Sequence, residues 1–404
     1  MTGRGPCSGI RVLEFCTMVS GPMCGQILGD FGADVLKLEG LAADPMRSVQ
    51  PRFRDFSALY SQFNRNKRSI VVDVKSAAGR DVIHSIASNV DIFLENCRPG
   101  VAERLGLGYE RLSADNAGLI YVSVNGFGED GPYRDYPAYD PMIQGLTGFM
   151  PVQGELGAPA PIRSLVVDKV AALSAALSSL AALQARHATG VGQKVEVKML
   201  DAFAAFMLPE RMNNHTFQSP DAGGLPVVDT SRVTCAIATL DGHVTGLVFQ
   251  DTQFQGMCTA LGREDIRSDP RFASPSARIT HIGELSDALG ESLRSLTTAE
   301  FLELARAHDI PFAQVNDING FFADPQVRHN RTYFDADDPE FGALRQLNAF
   351  ASFAHTPPGG WRRAPKYGEH TREVLLEFGY EPDAVEQLAG DGVIRSLDGV
   401  LAAP

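Results

Sequence analysis

Residues 164–190 constrain this chain more than any other stretch: Ser-Leu-Val-Val-Asp-Lys-Val-Ala-Ala-Leu-Ser-Ala-Ala-Leu-Ser-Ser-Leu-Ala-Ala-Leu-Gln-Ala-Arg-His-Ala-Thr-Gly. A β-branched run stops at one acid, Asp168, and a long Ala/Leu-rich helix is expected to begin there. From Val170 to Ala185 it carries no charge. That run is shorter than the roughly 20 apolar residues a bilayer needs, so it reads as the buried core helix of a globular protein. Asp168 then lies where a strand hands over to a helix, at the positive end of the helix dipole, which favours the ionised carboxylate. An ionised, half-buried carboxylate serves either as a nucleophile or as a helix cap.

The first third of the chain is built to cover such a helix with a sheet. Ile10–Phe15 reads as a strand, Ser20-Gly21-Pro22 as a helix start with a capping serine and an early proline, and Asp34–Glu39 as the next strand. Met23, Ile27, Leu28 and Phe31 fall between them at helical spacing. The alternation continues with a strand at Ser69–Val74, a helix at Ala77–Ala87 and a strand at Asp91–Glu95. A short helix at Pro99–Leu105 and strands at Leu119–Val124 and Val195–Met199 follow. Near-continuous apolar strands alternating with helices predict an α/β fold, a Rossmann-like large domain around a parallel sheet.

A second pattern begins after the breaks at 127–161 and 213–230, which are dense in glycine, proline and polar residues. Cys235–Thr239 and His243–Phe249 read as a hairpin, and Asp251–Leu261, Ile282–Ser292 and Thr298–Ala307 as helices. The expected division is therefore 1–212 for the first part of the large domain, 225–325 for a smaller α+β domain, and 330–404 for a return to the large domain. Helices are expected at Thr371–Phe378 and Pro382–Leu388 in that return.

A net charge of −13 argues against a nucleic-acid partner. The start lacks the apolar core of a signal peptide, and the six cysteines form no Cys-x-x-Cys pair, so a reduced, cytoplasmic protein is expected, with no membrane partner. The charge is uneven: residues 1–111 hold 14 basic and 12 acidic side chains. Arg47, Arg52, Arg54, Arg65, Lys67, Arg68 and Lys75 face only Asp55 and Asp73 within 47–75. That run is either a solvated face or a site for a small polyanion.

No P-loop, no Gly-x-Gly-x-x-Gly after the first strand, no nucleophile elbow and no His-Glu-x-x-His is present, and the scattered histidines give no support for a metal site. The candidate ligand loops follow strands: Thr17–Pro22, containing Met18 and Val19, and Asn96-Cys97-Arg98-Pro99-Gly100, with Arg104 shortly beyond. Arg98 and Arg104 can reach a phosphate there. Tyr139-Asp140 is a polar pair in the loop-rich crossing, where Asp140 can also simply cap a turn.

Taken in order, these pieces resemble family III CoA-transferases, the group of formyl-CoA transferase and carnitine CoA-transferase. The resemblance rests on Gly21-Pro22, 31–39 (Phe-Gly-Ala-Asp-Val-Leu-Lys-Leu-Glu), Asn66-Lys67-Arg68-Ser69-Ile70 and 95–100 (Glu-Asn-Cys-Arg-Pro-Gly). It continues through Arg104-Leu105-Gly106, Thr189-Gly190-Val191-Gly192-Gln193, Asp324-Pro325-Gln326-Val327 and Gly368-Glu369-His370-Thr371. It implies that Asp168 is the catalytic aspartate. It also implies that Met18, Val19, Val72, Asp73, Val74, Lys75, Asn96, Cys97, Arg98 and Arg104 contact CoA, with Tyr139 near the thioester. CoA would be a substrate, as acyl-CoA, with a small carboxylic acid as the other; no cofactor would be permanently bound. Two subunits interlocked as a homodimer are implied as well.

The chemistry implied is attack of Asp168 on a thioester carbonyl, giving a mixed anhydride and CoA thiolate, then an aspartyl-CoA thioester. Backbone N–H groups at the helix start would steady the oxyanion, and water must be kept out. Two departures stand out. Formyl-CoA transferase has a run of four glycines where this chain has only Ala222-Gly223-Gly224-Leu225. The related α-methylacyl-CoA racemases have His-Asp where this chain has Tyr139-Asp140, which removes one base of a two-base proton exchange. A 2-methylacyl-CoA racemase is thus the first alternative and a non-catalytic CoA-binding protein the second.

Overall fold

The computed structural model describes residues 5–153, 158–212, 215–219 and 236–397. The chain divides into two units, Met1–Leu208 with Arg331–Pro404, and Pro209–Asn330. The glycines at 223 and 224, and Cys235 of the expected hairpin, lie outside the described residues.

In the first unit, strand β1 (Arg11–Phe15) leads through helix α1 (Ser20–Asp30) to β2 (Asp34–Glu39). Helix α2 (Ala58–Asn64) precedes β3 (Lys67–Val72), and α3 (Ala77–Ala87) leads to β4 (Ile92–Glu95). Two short helices, α4 (Val101–Arg104) and α5 (Tyr109–Asp115), come before β5 (Ile120–Asn125). Then follow α6 (Asp140–Leu146), the long α7 (Val166–Thr189), β6 (Gln193–Lys198) and α8 (Met199–Met207).

The second unit carries an antiparallel sheet of β7 (Ala236–Ala238), β8 (His243–Gly246) and, after its helices, β9 (Phe312–Gln314). Helices α9 (Asp251–Leu261), α10 (Ile282–Leu293) and α11 (Thr298–Ala307) enclose their own core around Phe254, Met257, Leu289 and Phe301. The chain then returns to the first unit with the hairpin β10 (Tyr333–Asp338) and β11 (Gly342–Leu347). Helices α12 (Thr371–Glu377) and α13 (Pro382–Gly390) and strand β12 (Ile394–Arg395) complete it.

The large sheet has the order β12-β3-β2-β1-β4-β5-β6, parallel throughout except for the edge strand β12. Neighbouring residues of its strands enter opposite cores. Val12, Val35, Ile92 and Leu94 pack with α1 and α7, whereas Leu13, Leu36 and Phe93 pack with α3, α12 and α13. β3, β4 and β5 are therefore buried along their whole length, which is why their apolar stretches at 70–72, 92–94 and 120–122 run without alternation. The chain leaves β1 on one side toward β2 and β3, then crosses to β4 on the other. This is the topological switch point at which open α/β sheets bind ligands, at the carboxyl ends of the strands.

One local departure from the expected elements bears on function. Val166-Val167 is not the end of a strand. It is already the first turn of α7, so Asp168 lies inside the helix rather than at a strand-to-helix junction. Tertiary context overrides β-propensity here: Val167 is fully buried, and its amide is held by Asp140. β3 also starts and ends two residues earlier than expected, leaving Asp73-Val74-Lys75 in the turn before α3.

Candidate active site

At the switch point a cavity of about 340 Å³ opens above β1, β4 and β5. Its floor comes from the loop Thr17–Ser20 after β1, the loop Asn96–Pro99 after β4, and Val124–Phe127 at the end of β5. One wall is the segment containing Arg134, Tyr136 and Tyr139, and another is the first turn of α7 with Leu165 and Asp168. Of the residues expected at a site, Met18, Val19, Asn96, Cys97, Arg98, Tyr139 and Asp168 meet here.

Asp168 is half-buried and faces this cavity. Burial and the nearby Asp140 carboxylate push its carboxyl up to about 6, while a hydrogen bond from the Ser20 side chain pulls it down. The helix start therefore does not keep this acid at ordinary carboxylate strength. Burial and the Asp140 charge outweigh it, and the α7 start is capped by Asp140 itself, whose Oδ2 accepts from the Val167 amide at 2.7 Å and the Asp168 amide at 3.2 Å. Asp140 is itself buried, and its Oδ1 accepts from Gln144 Nε2 at 2.5 Å. Asp140 thus caps a helix 27 residues further on, and the amides expected to hold an oxyanion are occupied.

The sequence places Ser20 as the cap of α1. The cap position is Val19, with no side-chain capping bond, and the Ser20 hydroxyl instead accepts from Asn96 Nδ2 at 3.4 Å on the cavity wall it shares with Asp168. Asn96 clamps the β1 loop, accepting from the Thr17 amide at 3.0 Å and donating to the Thr17 carbonyl at 2.8 Å. Gly21 must be a glycine here: a Cβ would sit 2.3 Å from Cys16 Sγ. Burial and Glu95 hold the Cys97 thiol well above its usual range, so this thiol is a neutral wall element. Tyr139 stands at the rim, 65 % exposed.

Other expected positions fall outside the lining. Val72 is fully buried, so its side chain belongs to the core and cannot meet a ligand; Val74 is 8 % exposed. Asp73 accepts from the Lys75 amide at 3.1 Å, and the Lys75 side chain is exposed beyond β3. Arg104 is exposed on α4, its guanidinium close enough to Gly100 that a Cβ there would lie 3.0 Å from Nη1. The Arg134 guanidinium lies 3.9 Å from the same point. The side chains of Arg98, Arg104 and Arg134 carry no hydrogen bond or ion pair among the described residues; Arg98 and Arg134 line the cavity, and Arg104 and Arg134 both approach Gly100.

The basic run at 47–75 is not that group. Arg47 pairs with Glu39, Arg65 with Asp30, Lys67 with Glu14, and Arg68 with Asp34, Glu373 and Glu377. Arg52 pairs with Asp55, and Arg54 donates to the Glu340 carbonyl. Five of the seven basic side chains in that run are therefore paired with acids, while Arg54 meets only a carbonyl and Lys75 stands exposed. Phe127, Arg134 and Tyr136 were missed because their segment carried only loop signals, and Met199 because it read as the end of a strand. Among the described residues no three His, Cys, Asp or Glu side chains gather as a metal site.

A match to CoA-transferase family III spans residues 7–371. The chain belongs to that family. It is 32% identical to succinyl-CoA–D-citramalate CoA-transferase of Chloroflexus aurantiacus, over 96% of this chain and 98% of the other. It is also 32% identical to succinate–glutarate CoA-transferase of Agrobacterium fabrum, over 93% and 96%. The fold is similar to that of a CAIB/BAIF family protein from Brucella suis, with a TM-score of 0.80, 29% identity, and coverage of 93% of this chain and 100% of the other. The protein is thus a CoA-transferase, an enzyme rather than a silent CoA-binding module, and its family takes CoA thioesters as substrates.

Proposed function

We propose that this CoA-transferase moves CoA from an acyl-CoA to a free carboxylic acid through Asp168. A carboxylate half-buried in the cavity at the switch point carries the proposal. Asp168 attacks the thioester carbonyl, the C–S bond breaks, and CoA leaves as thiolate from a mixed anhydride. The thiolate attacks the aspartyl carbonyl, the donor acid departs as its carboxylate, and Asp168 carries CoA as a thioester. The acceptor carboxylate repeats the two steps in reverse and regenerates Asp168. Each intermediate keeps an acyl carbon activated while water is excluded. Arg98, Arg104 and Arg134 offer the phosphates of CoA a local cationic mouth on an acidic protein.

The named relatives act on succinate, glutarate and citramalate, so a small dicarboxylic acid is the acceptor class proposed. A homodimer is proposed as well. Leu173 and Leu177 stand exposed one turn apart on α7, Leu177 at 71 %, an apolar stripe suited to cover by a second copy. Asp168→Ala should abolish exchange while CoA binding persists, and hydroxylamine added during turnover should label Asp168. Exchange surviving in that variant would end the proposal. Tyr139 in place of a histidine weighs against racemisation. α-Deuteration of an acyl-CoA in deuterated water without any acceptor acid would restore that reading.

A further inference from the structure

Beneath the β1 loop lies a buried quartet of charges that takes no part in the chemistry above. Lys67 Nζ sits 2.7 Å from Glu14 Oε2, Glu14 Oε1 lies 3.3 Å from Lys37 Nζ, and Lys37 lies 2.9 Å from Asp44 Oδ2. None of these side chains exceeds 1 % exposure. A buried ion pair is weak evidence of stability, since well-packed apolar side chains commonly do as well. What ions add is direction, and here they point at main chain. Lys67 donates to the Pro22 carbonyl at 2.7 Å and Lys37 to the Cys16 carbonyl at 3.0 Å. Asp44 Oδ1 accepts from the Met18 amide at 3.2 Å.

Met18 is the unusual residue among those held. Its φ is 66°, a left-handed conformation that costs a non-glycine residue roughly 1–2 kcal/mol and persists only where the surroundings enforce it. Two residues on, Ser20 lines the same cavity as Asp168, and its side chain favours the ionised form of that carboxyl. Asp44 is itself fixed from the other side, its amide donating to Glu39 Oε1 at 3.1 Å and its Oδ1 also accepting from the Met46 amide at 2.9 Å.

We infer that Asp44 is a positioning residue: through the Met18 amide it holds the β1 loop in the left-handed turn that delivers Ser20 to Asp168. The inference rests on the reading of Asp168 as nucleophile. The Ser20 hydrogen bond favours the ionised form of that carboxyl, against burial and Asp140. Losing the turn therefore leaves Asp168 harder to ionise. The titratable and charged groups that share the cavity with Asp168 are Cys97, Arg98, Arg134, Tyr136, Tyr139 and Asp140, with Ser20 among them. The variants below alter none of these except Ser20, so a shift in the acid limb reports on Ser20.

The test compares two pairs of variants in acyl-CoA exchange, with thermal unfolding as the control for folding. Met18→Pro removes the amide and forbids positive φ, while Met18→Ala keeps both. In the second pair, Lys37→Met is combined with Asp44→Leu, which removes the acceptor, or with Asp44→Asn, which keeps one. Met18→Pro and the leucine double variant should lose about tenfold or more in kcat, with the acid limb of kcat/KM moved to higher pH and, in the double variant, KM for acyl-CoA within about threefold. Met18→Ala trims a side chain that lines the cavity and should raise KM while leaving the acid limb in place, and the asparagine double variant should stay within about threefold of the parent with the limb in place. Ser20→Ala should move the limb as the leucine double variant does and add nothing to it, because both break one chain of contacts. Equal behaviour within both pairs, an unmoved limb in Ser20→Ala, or additive effects would overturn the inference. If the leucine double variant does not unfold cooperatively, Met18→Pro against Met18→Ala decides the matter. Exchange surviving in Asp168→Ala would defeat the nucleophile reading instead, whereas a flat result here with Asp168→Ala inactive defeats only the role of Asp44.

Discussion

At the scale of single residues, Asp168 sets function against stability. Its carboxyl is pushed up from 3.8 to about 6 by burial and Asp140, so the folded protein binds that proton more tightly than the unfolded chain does. Ionised Asp168 therefore costs folding free energy above about pH 6, and the cost fades toward pH 4, where the unfolded group also holds its proton. Two pH units correspond to at most about 3 kcal/mol, reduced to roughly 1–2 by partial solvent exposure. Asp168→Asn should accordingly melt a few degrees higher than the parent at pH 8, with no gain at pH 4, while exchange is lost. A gain independent of pH, or none, would contradict the electrostatic account. The arginines divide in a similar way. Arg104→Ala should raise KM for acyl-CoA about tenfold, leave kcat unchanged and weaken the salt dependence. Arg65→Ala should instead cost about 3 kcal/mol in chemical denaturation, because it strands Asp30 in the protein interior. Nothing in the sequence separates these two arginines. Asp30 lies far upstream of Arg65, and its pairing is set by α1 and α2 packing together rather than by any local pattern.

At the scale of elements, the first turn of α7 depends on a carboxylate from α6. Asp140→Ala removes the cap from the Val167 and Asp168 amides and should lower stability by about 1–2 kcal/mol, read as a lower denaturant midpoint. Asp140→Asn keeps one acceptor but removes a negative charge beside Asp168, so the acid limb of kcat/KM should move below about 6. An unchanged or raised limb would show that Asp140 does not load Asp168 electrostatically. The strands and most helices were legible because each is governed by its own periodicity: β2 and α3 fall at the expected residues. The start of α7 was not legible, since Val166-Val167 has strand character and only a distant cap makes it helical. The site loops could be located from strand ends, as Thr17–Ser20 and Asn96–Arg98 were. Their working contacts, Ser20 to Asp168 and Asp44 to Met18, join separate elements and leave no trace in spacing.

At the scale of the whole chain, the first unit is closed by residues from its far end. The Arg68 guanidinium on β3 meets Asp34 on β2 together with Glu373 and Glu377, which follow it by about 300 residues. The Ser69 carbonyl accepts from the His370 amide at 3.0 Å, the Ser69 hydroxyl accepts from the Gly368 amide at 3.0 Å, and the Val71 amide donates to Thr371 Oγ1 at 3.1 Å. β12 then covers the outer edge of β3, and Val374, Leu375 and Val385 fill the core beneath it. Such non-local closure forms late, and until it forms the outer edge of β3, apolar at Ile70, Val71 and Val72, is exposed. A chain ending at Pro365 should therefore accumulate in inclusion bodies, or remain in solution only as an aggregate without a cooperative unfolding transition. Arg68→Met in the full chain should be milder, lowering the midpoint while the protein stays soluble, because the strand and the apolar cover remain. A soluble truncated chain melting at the parental temperature would show that the returning segment decorates the large sheet rather than completing it.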